Sequence, residues 1–229
     1  MAGLTEEQKA IGKKNPRVKA KEKEWKLYAD SYAGGATYRD GGYLFEHEKE
    51  TTRAFERRKK MACFVNFCAP IIDIYNSYLF REIPVRDFAG IPDQVVNKLL
   101  ENADNEGRSL HKLMREISRR ASIYGFMGVI VDKPKSSGET NRKQELDNGL
   151  MPYLSVYKPN NILNWERTKS GGIVRLTKLV LEEQEITEGV ERYTVWYEDR
   201  WELWEENPKA LGDDKLKLVD TGDNVLGKI

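Results

Sequence analysis

The hydrophobic period changes once along this chain. Apolar residues recur at three- and four-residue spacing from Glu46 to Tyr124, whereas the later segments between Tyr153 and Glu205 alternate apolar and polar positions. The first pattern is the stripe of a helix and the second that of a half-buried strand. An α+β fold is therefore expected, with long helices in the N-terminal part packed with a mostly antiparallel sheet in the C-terminal part. A length of 229 residues allows one large domain or two small ones. Aromatic residues at 10% supply a core and argue against global disorder despite 33% charged residues. No apolar run approaches the ~18 residues that suggest a membrane span. Met1 to Pro16 carries lysines without an apolar core, so no secretory leader is expected and the chain reads as intracellular.

The helical half begins with a charged segment whose Trp25, Tyr28 and Tyr32 share one helical face, which reads as a short amphipathic helix ending a mobile arm. Gly34-Gly35 through Gly41-Gly42 reads as a folded loop, not a phosphate cradle, because no Gly-Lys-Ser/Thr follows. Glu46 to Phe80 reads as one long helix with a stripe of Met61, Phe64, Val65, Cys68, Ile71, Ile72, Tyr75, Tyr78 and Leu79, kinked or divided at Pro70. Cys63 and Cys68 lie five residues apart in that pattern, on different faces. No disulfide is expected, and both read as core or near-core thiols. Ile91-Pro92 opens a shorter helix through Leu100. Ser109 is the expected N-cap of another, with stripe Leu110, Leu113, Met114, Ile117, Ala121 and Tyr124 and a stop at Gly125.

Phe126 to Val131 is short, apolar and β-branched, as in a buried strand, and Pro134 to Gly149 reads as an exposed loop. Tyr153 to Tyr157 alternates, Pro159 to Trp165 fits one helical turn, and Ile173–Leu181, Arg192–Tyr197 and Trp201–Glu205 read as successive antiparallel strands. Trp196, Trp201 and Trp204 in that hairpin read as core. The resulting organisation is a charged arm and glycine-rich loop over 1–42, a helical part over 43–134, an exposed loop over 135–150 and a strand-rich part over 151–229.

The formal charge of +1 conceals segregation. Lys9 to Lys26 and Arg53 to Lys60 make the front basic, while ten carboxylates between Glu182 and Glu206 make the late strands acidic. Such polarity suits head-to-tail contact between copies, or a DNA-facing side. The best basic cluster is Arg57, Arg58, Lys59 and Lys60, a candidate contact for nucleic acid or an acidic partner, although four consecutive helical residues spread around the circumference.

Catalytic templates find no complete set. His47-Glu48 lacks the second His of a zincin helix, His111 reads as a helix-start residue, no Walker glycine loop is present, and neither Cys has an implied His partner. No enzymatic role, cofactor or metal is expected.

The ordered series Tyr43-Leu44, His47-Glu48, Arg53, Arg57, Tyr78-Leu79-Phe80-Arg81, Pro84, Asn102-Ala103-Asp104, Ser109-Leu110, Tyr124-Gly125, Gly128 to Pro134, Pro152-Tyr153-Leu154 and Tyr157 to Trp165 resembles tailed-bacteriophage portal proteins. It is closest in kind to a portal-like branch long catalogued as a domain of unknown function. The resemblance runs from about Trp25 to Trp165. Its most specific part is the strand ending Asp132-Lys133-Pro134 followed by Tyr157 to Trp165. Tyr124, Gly125, Asp132, Pro134, Pro152, Tyr157, Pro159, Asn161, Ile162 and Trp165 carry it as structural positions. The resemblance implies a dodecameric ring at one capsid vertex of the virion, assembled in the host cytoplasm, through which double-stranded DNA is packaged and ejected. Implied partners are further copies of the chain, the terminase large subunit, the major capsid or scaffold protein and a head–tail adaptor, with no membrane. Portal chains are usually longer, so this one is expected to be the N-terminal wing portion, incomplete at its C-terminal end. The alternative is a nucleic-acid-binding packaging accessory that uses the basic front directly.

Overall fold

The structure, a computed structural model, describes Thr5 and residues 8–135, 141–183, 190–206 and 215–224. Its elements are helices α1 (Pro16–Ala33), α2 (Gly35–Asp40), α3 (Thr52–Met61), α4 (Cys68–Leu79), α5 (Asp93–Glu101) and α6 (Leu110–Tyr124). Strand β1 (Gly128–Asp132), helix α7 (Arg142–Asp147) and strands β2 (Tyr153–Tyr157), β3 (Ile162–Ser170), β4 (Ile173–Glu182), β5 (Glu191–Tyr197), β6 (Arg200–Glu206) and β7 (Leu216–Asp223) follow. The fold is α+β, with helices towards the N-terminus and antiparallel sheet towards the C-terminus. β1 and β2 pair as a two-stranded ribbon, and β3 to β7 form a five-stranded meander in sequence order.

The meander forms around β5, where Tyr193 and Val195 face the core shared by Leu163 of β3, Val180 of β4 and Trp204 of β6. Ile11 completes this cluster from the other end of the chain. Residues 8–15 thus differ from the expected mobile arm. Asn15 donates its backbone N–H to Leu163 O at 2.8 Å and its Nδ2 to Asn164 Oδ1 at 3.0 Å. Its Oδ1 accepts from the N–H of Arg17 at 3.0 Å, which caps α1. Pro16 then starts a helix of 18 residues, longer than the expected short one. On it Trp25 is buried edge-on to Phe126, Tyr32 is half-buried and Tyr28 is exposed.

A second core joins α5 and α6 to the ribbon through Ala103, Leu110 and Leu113, with Leu154 and Val156 of β2 packed on it. The loop between the helices is shaped by Asp104, whose Oδ1 accepts from the backbone N–H of Glu106 at 2.9 Å and of Arg108 at 3.1 Å. Ala103 O accepts from Leu154 N at 2.7 Å, tying the loop to β2. As expected, the Ser109 hydroxyl caps α6 and Gly125 ends it in the left-handed region at φ 89°.

Several expectations are corrected. The long helix over 46–80 is two helices separated by a non-helical link over 62–67. The break precedes Pro70, which sits in the first turn of α4, where its missing N–H leaves no gap. Asn66 fixes that start: its Oδ1 accepts from the N–H of Cys68 and of Ala69, while its Nδ2 donates to Tyr32 O at 2.8 Å. Cys63 in the link and Cys68 at the head of α4 are exposed, not core thiols, because that segment packs little of its surface. The glycine loop holds the short helix α2. The strand expected at Phe126–Val131 begins at Gly128 and is only half-buried, with Val129 and Val131 open on one face. The loop over 135–150 contains α7, started by a reciprocal pair in which Asn141 and Gln144 each accept from the other's backbone N–H; residues 136–140 lie outside the described residues. The helical turn expected to reach Trp165 stops at Asn161, and Ile162 to Ser170 pair with β4. β7 is an additional strand beyond the expected Ile173–Leu181, Arg192–Tyr197 and Trp201–Glu205, and it pairs with β6.

Asp104 is buried, which by itself would raise its pKa, yet the Glu106 and Arg108 backbone N–H groups and the Arg108 guanidinium bring it below the ordinary carboxylate value. Its stabilising contribution is thus present above its unfolded value, about 3.9, and is lost as pH falls through the lower folded value. Asp104→Asn is expected to lower stability near neutral pH by about 1–3 kcal/mol, and to flatten the acid limb of a urea-unfolding series taken at descending pH.

Candidate functional site

Three surfaces outside the two cores bear on function. The first is the basic helix α3. Thr51 caps it, its Oγ1 accepting from Ala54 N at 3.3 Å. Arg57, Arg58 and Lys60 are exposed and Lys59 is half-buried, spread around the helix as the sequence spacing implies. Arg58 is held in place: it reaches Glu50 through two nitrogens, 2.6 Å at the shorter, and donates to Phe45 O at 2.8 Å. That bidentate pair holds Glu50 below and Arg58 above their ordinary pKa values. Arg57 and Lys60 form no ion pair among the described residues. The four cations therefore split into one structural tie and an open group.

The second surface is α4. Ile71, Ile74, Tyr75, Tyr78 and Leu79 follow the i, i+3, i+4, i+7, i+8 pattern of a core-facing stripe, yet Tyr75 is 75% and Tyr78 73% exposed. Phe67, Val65 and Met61 extend the same open apolar character back through the link. Only the opposite side of α4 is used internally. There Asn76 is buried and its Nδ2 donates to Arg115 O at 3.2 Å, setting α4 against α6. Phe64, the exception in the link, stacks on Tyr38 at 3.9 Å between ring centroids.

The third surface is an open cleft of about 480 Å³ between α4 and α6. Lys112, Arg115 and Arg119 line it from α6 at i, i+3 and i+7; Asp73, Asn76 and Ser77 line it from α4 at i, i+3 and i+4. Asp73 Oδ1 accepts from the Tyr32 hydroxyl at 2.7 Å. Glu116, also in the cleft, is engaged by Arg108 and Arg120. The three α6 cations have no carboxylate partner among the described residues: Arg115 Nη2 reaches Ser77 Oγ only at 3.5 Å, and Arg119 faces the Tyr32 hydroxyl. Asn76 Oδ1 is buried and has no hydrogen-bond partner. These residues were not singled out from sequence. The available signal was their polar spacing opposite the α6 apolar stripe.

The residues that carry the portal resemblance gather around the junction of β1, β2 and β3, where they act as scaffold. Tyr124 and Gly125 end α6 one turn before β1. Asp132 ends β1 and accepts from the Tyr153 hydroxyl at 2.8 Å; half-buried Pro134 follows it and exposed Pro152 precedes β2. Tyr157 donates to Glu183 Oε1 at 3.0 Å, and burial together with that carboxylate pushes its phenol far above the ordinary tyrosine value. Pro159 is fully buried, Asn161 Nδ2 donates to Glu182 O at 3.4 Å, and Ile162 opens β3, in which Trp165 pairs with Leu179. A Cβ at Gly128 would stand 2.9 Å from Ile162 Cδ1, so the ribbon approaches β3 closely there.

Among the described residues no cluster of His, Cys, Asp and Glu has the makings of a metal site, and no helix is long and apolar enough to cross a membrane. Trp196 and Trp204 are buried and Trp201 half-buried, as expected of core residues. His111 sits on the second position of α6 with its ring edge-on to Phe80.

Arg58→Gln is expected to lower the thermal midpoint, because it frees both Glu50 and Phe45 O. Arg57→Gln, one residue away, is expected to leave it unchanged. Paired melting curves of the two variants separate the structural cation from the open one. The chain matches no protein-family model and no curated protein sequence.

Proposed function

We propose that the chain is a structural subunit of a phage portal assembly, or the wing portion of one, working as one copy in a ring through which double-stranded DNA passes. The reading rests on the ordered residue series from Tyr43 to Trp165. The observation that supports it best is the unpartnered apolar face of α4. Five large side chains at core spacing, left more than half exposed, are characteristic of a protein–protein surface. With aromatic side chains covering about 150–250 Å² each, the face approaches the ~800 Å² per partner of a standard interface. A ring needs two unlike faces on each copy, because a repeated head-to-tail contact cannot be made by one self-complementary patch. The α4 stripe supplies one of them. The terminase large subunit, the major capsid or scaffold protein and a head–tail adaptor are the partners that this reading brings, at a capsid vertex of the virion.

Sedimentation velocity or native mass spectrometry at rising protein concentration tests the proposal. Association into species larger than a dimer is expected, and the double variant Ile74→Glu/Tyr78→Glu is expected to remain monomeric while keeping the wild-type circular dichroism spectrum. A chain that stays monomeric at the highest attainable concentration would sink it. A basic accessory protein would instead bind duplex DNA with a steep salt dependence carried by Arg57 and Lys60.

A further inference from the structure

We propose that the cleft between α4 and α6 is a binding site for a phosphate group, with Lys112, Arg115 and Arg119 as its cationic wall and Asp73, Asn76 and Ser77 as the opposite wall that reads hydroxyl or amino donors beside the phosphate. It is independent of the assembly proposal.

Three observations converge. The cations lie at i, i+3 and i+7 of one helix, so they point the same way over about two turns. Several cations elsewhere in the molecule are neutralised by carboxylates, as in Lys26–Asp30, Arg108–Asp104 and Arg200–Glu202. Here the one nearby carboxylate on α6, Glu116, already serves Arg108 and Arg120, and Asp73 is occupied on one oxygen by Tyr32. The three cations of the wall outnumber the two carboxylates that line the cleft, Asp73 and Glu116, of which Glu116 is shared with Arg108 and Arg120, and a phosphate anion matches the excess. Arginine suits phosphate in particular, because its planar fork can donate two parallel hydrogen bonds.

The second observation is Asn76. Its residue is 6% exposed, its Nδ2 is committed to Arg115 O, and its Oδ1 has no donor. A buried acceptor without a donor is an unfinished hydrogen-bond set. A guanidinium drawn inward by an anion, or a hydroxyl brought with it, completes that set. The third observation is size. About 480 Å³ exceeds what a bare phosphate fills and lies within the range of small-molecule sites. Asp73 and Ser77 on α4 line the same cleft and offer acceptors to the donors of an attached sugar or base. A phosphomonoester such as a nucleotide and the phosphodiester of a nucleic-acid strand share this chemistry.

Calorimetric titration of the full chain distinguishes the sources. The probes are adenosine monophosphate, adenosine, and a thymidine oligonucleotide without terminal phosphates. Binding of the monophosphate but not adenosine is expected if the ligand is a monoester, and binding of the oligonucleotide if it is a diester strand. In either case Lys112→Gln, at an exposed position whose side chain makes no hydrogen bond or ion pair among the described residues, is expected to weaken binding about tenfold, and for the oligonucleotide to make the salt slope shallower by about one. Arg115→Gln is expected to do the same, whereas Lys169→Gln, at an exposed position on β3, leaves both unchanged. Repeating the titration at protein concentrations below the onset of association separates the cleft from assembly. The proposal is overturned if no phosphate probe binds, if adenosine binds as well as its monophosphate, if Lys169→Gln weakens binding as much as Lys112→Gln, or if the cleft variants alter the assembly state and not ligand binding.

Discussion

Asn15 is the point on which both halves of the molecule depend. One side chain and its own backbone N–H cap α1, pair with Leu163 of β3 and bond Asn164. The residue thus closes a helix and fixes that helix to a strand about 150 residues later in the chain. Ile11, four residues earlier, is inserted among Leu163, Val180, Tyr193, Val195 and Trp204 and is 3% exposed. The sheet core is therefore incomplete until the N-terminal segment arrives. Contacts so distant in sequence close a large loop, whose entropic cost must be met before the core can repay it. Helical and strand parts are consequently expected to unfold as one cooperative unit, with α1 clamped between them.

Legibility in the sequence followed locality. α5, α6 and the β4–β5–β6 meander were readable because each carries its own signal: a strong apolar stripe, a Ser109 cap and a Gly125 stop, or a β-branched alternation bounded by turns. What was misread depends on distant partners. Residues 8–15 look like a charged arm because their one large apolar residue, Ile11, has its neighbours at the other end of the chain. β3 and β7 look like a turn and a polar tail because their pairing strands, β4 and β6, supply the order that their own composition lacks. The break between α3 and α4 was misplaced for a related reason. Pro70 is the conspicuous helix breaker, but a proline in a first turn starts a helix, and Asn66 does the capping.

The candidate surfaces divide in the same way. The apolar residues of α4 were visible as a stripe, and the natural inference from a stripe is burial. The structure places the buried side of that helix elsewhere, at Asn76, so the stripe itself is left for another molecule. The cleft was harder to see. Its two walls are the polar faces of helices 30 residues or more apart in sequence, and polar spacing by itself describes any solvated helix. Only the packing of α4 on α6, through Asn76 and Arg115, makes the walls face each other.

The folded chain also changes the meaning of its charge. Read along the sequence, the front is basic and the back acidic. In the fold, much of the front neutralises itself along α1, through Lys14–Glu22, Lys21–Glu24 and Lys26–Asp30. The back does likewise across its strands, through Arg192–Glu205, Arg200–Glu202 and Lys215–Glu206. Exposed pairs of this kind add little stability, typically 0–1 kcal/mol each, but they cancel the field outside the molecule. Among the described residues the cations without a carboxylate partner include Arg17, Lys19 and Lys23 on α1, Arg57 and Lys60 on α3, Lys112, Arg115 and Arg119 on α6, and Arg167 and Lys169 on β3. Field strength at a surface depends on what is left uncancelled there, and on α6 three such cations stand along one helical face and border a cleft, which gives an approaching anion a concentrated site that composition does not mark.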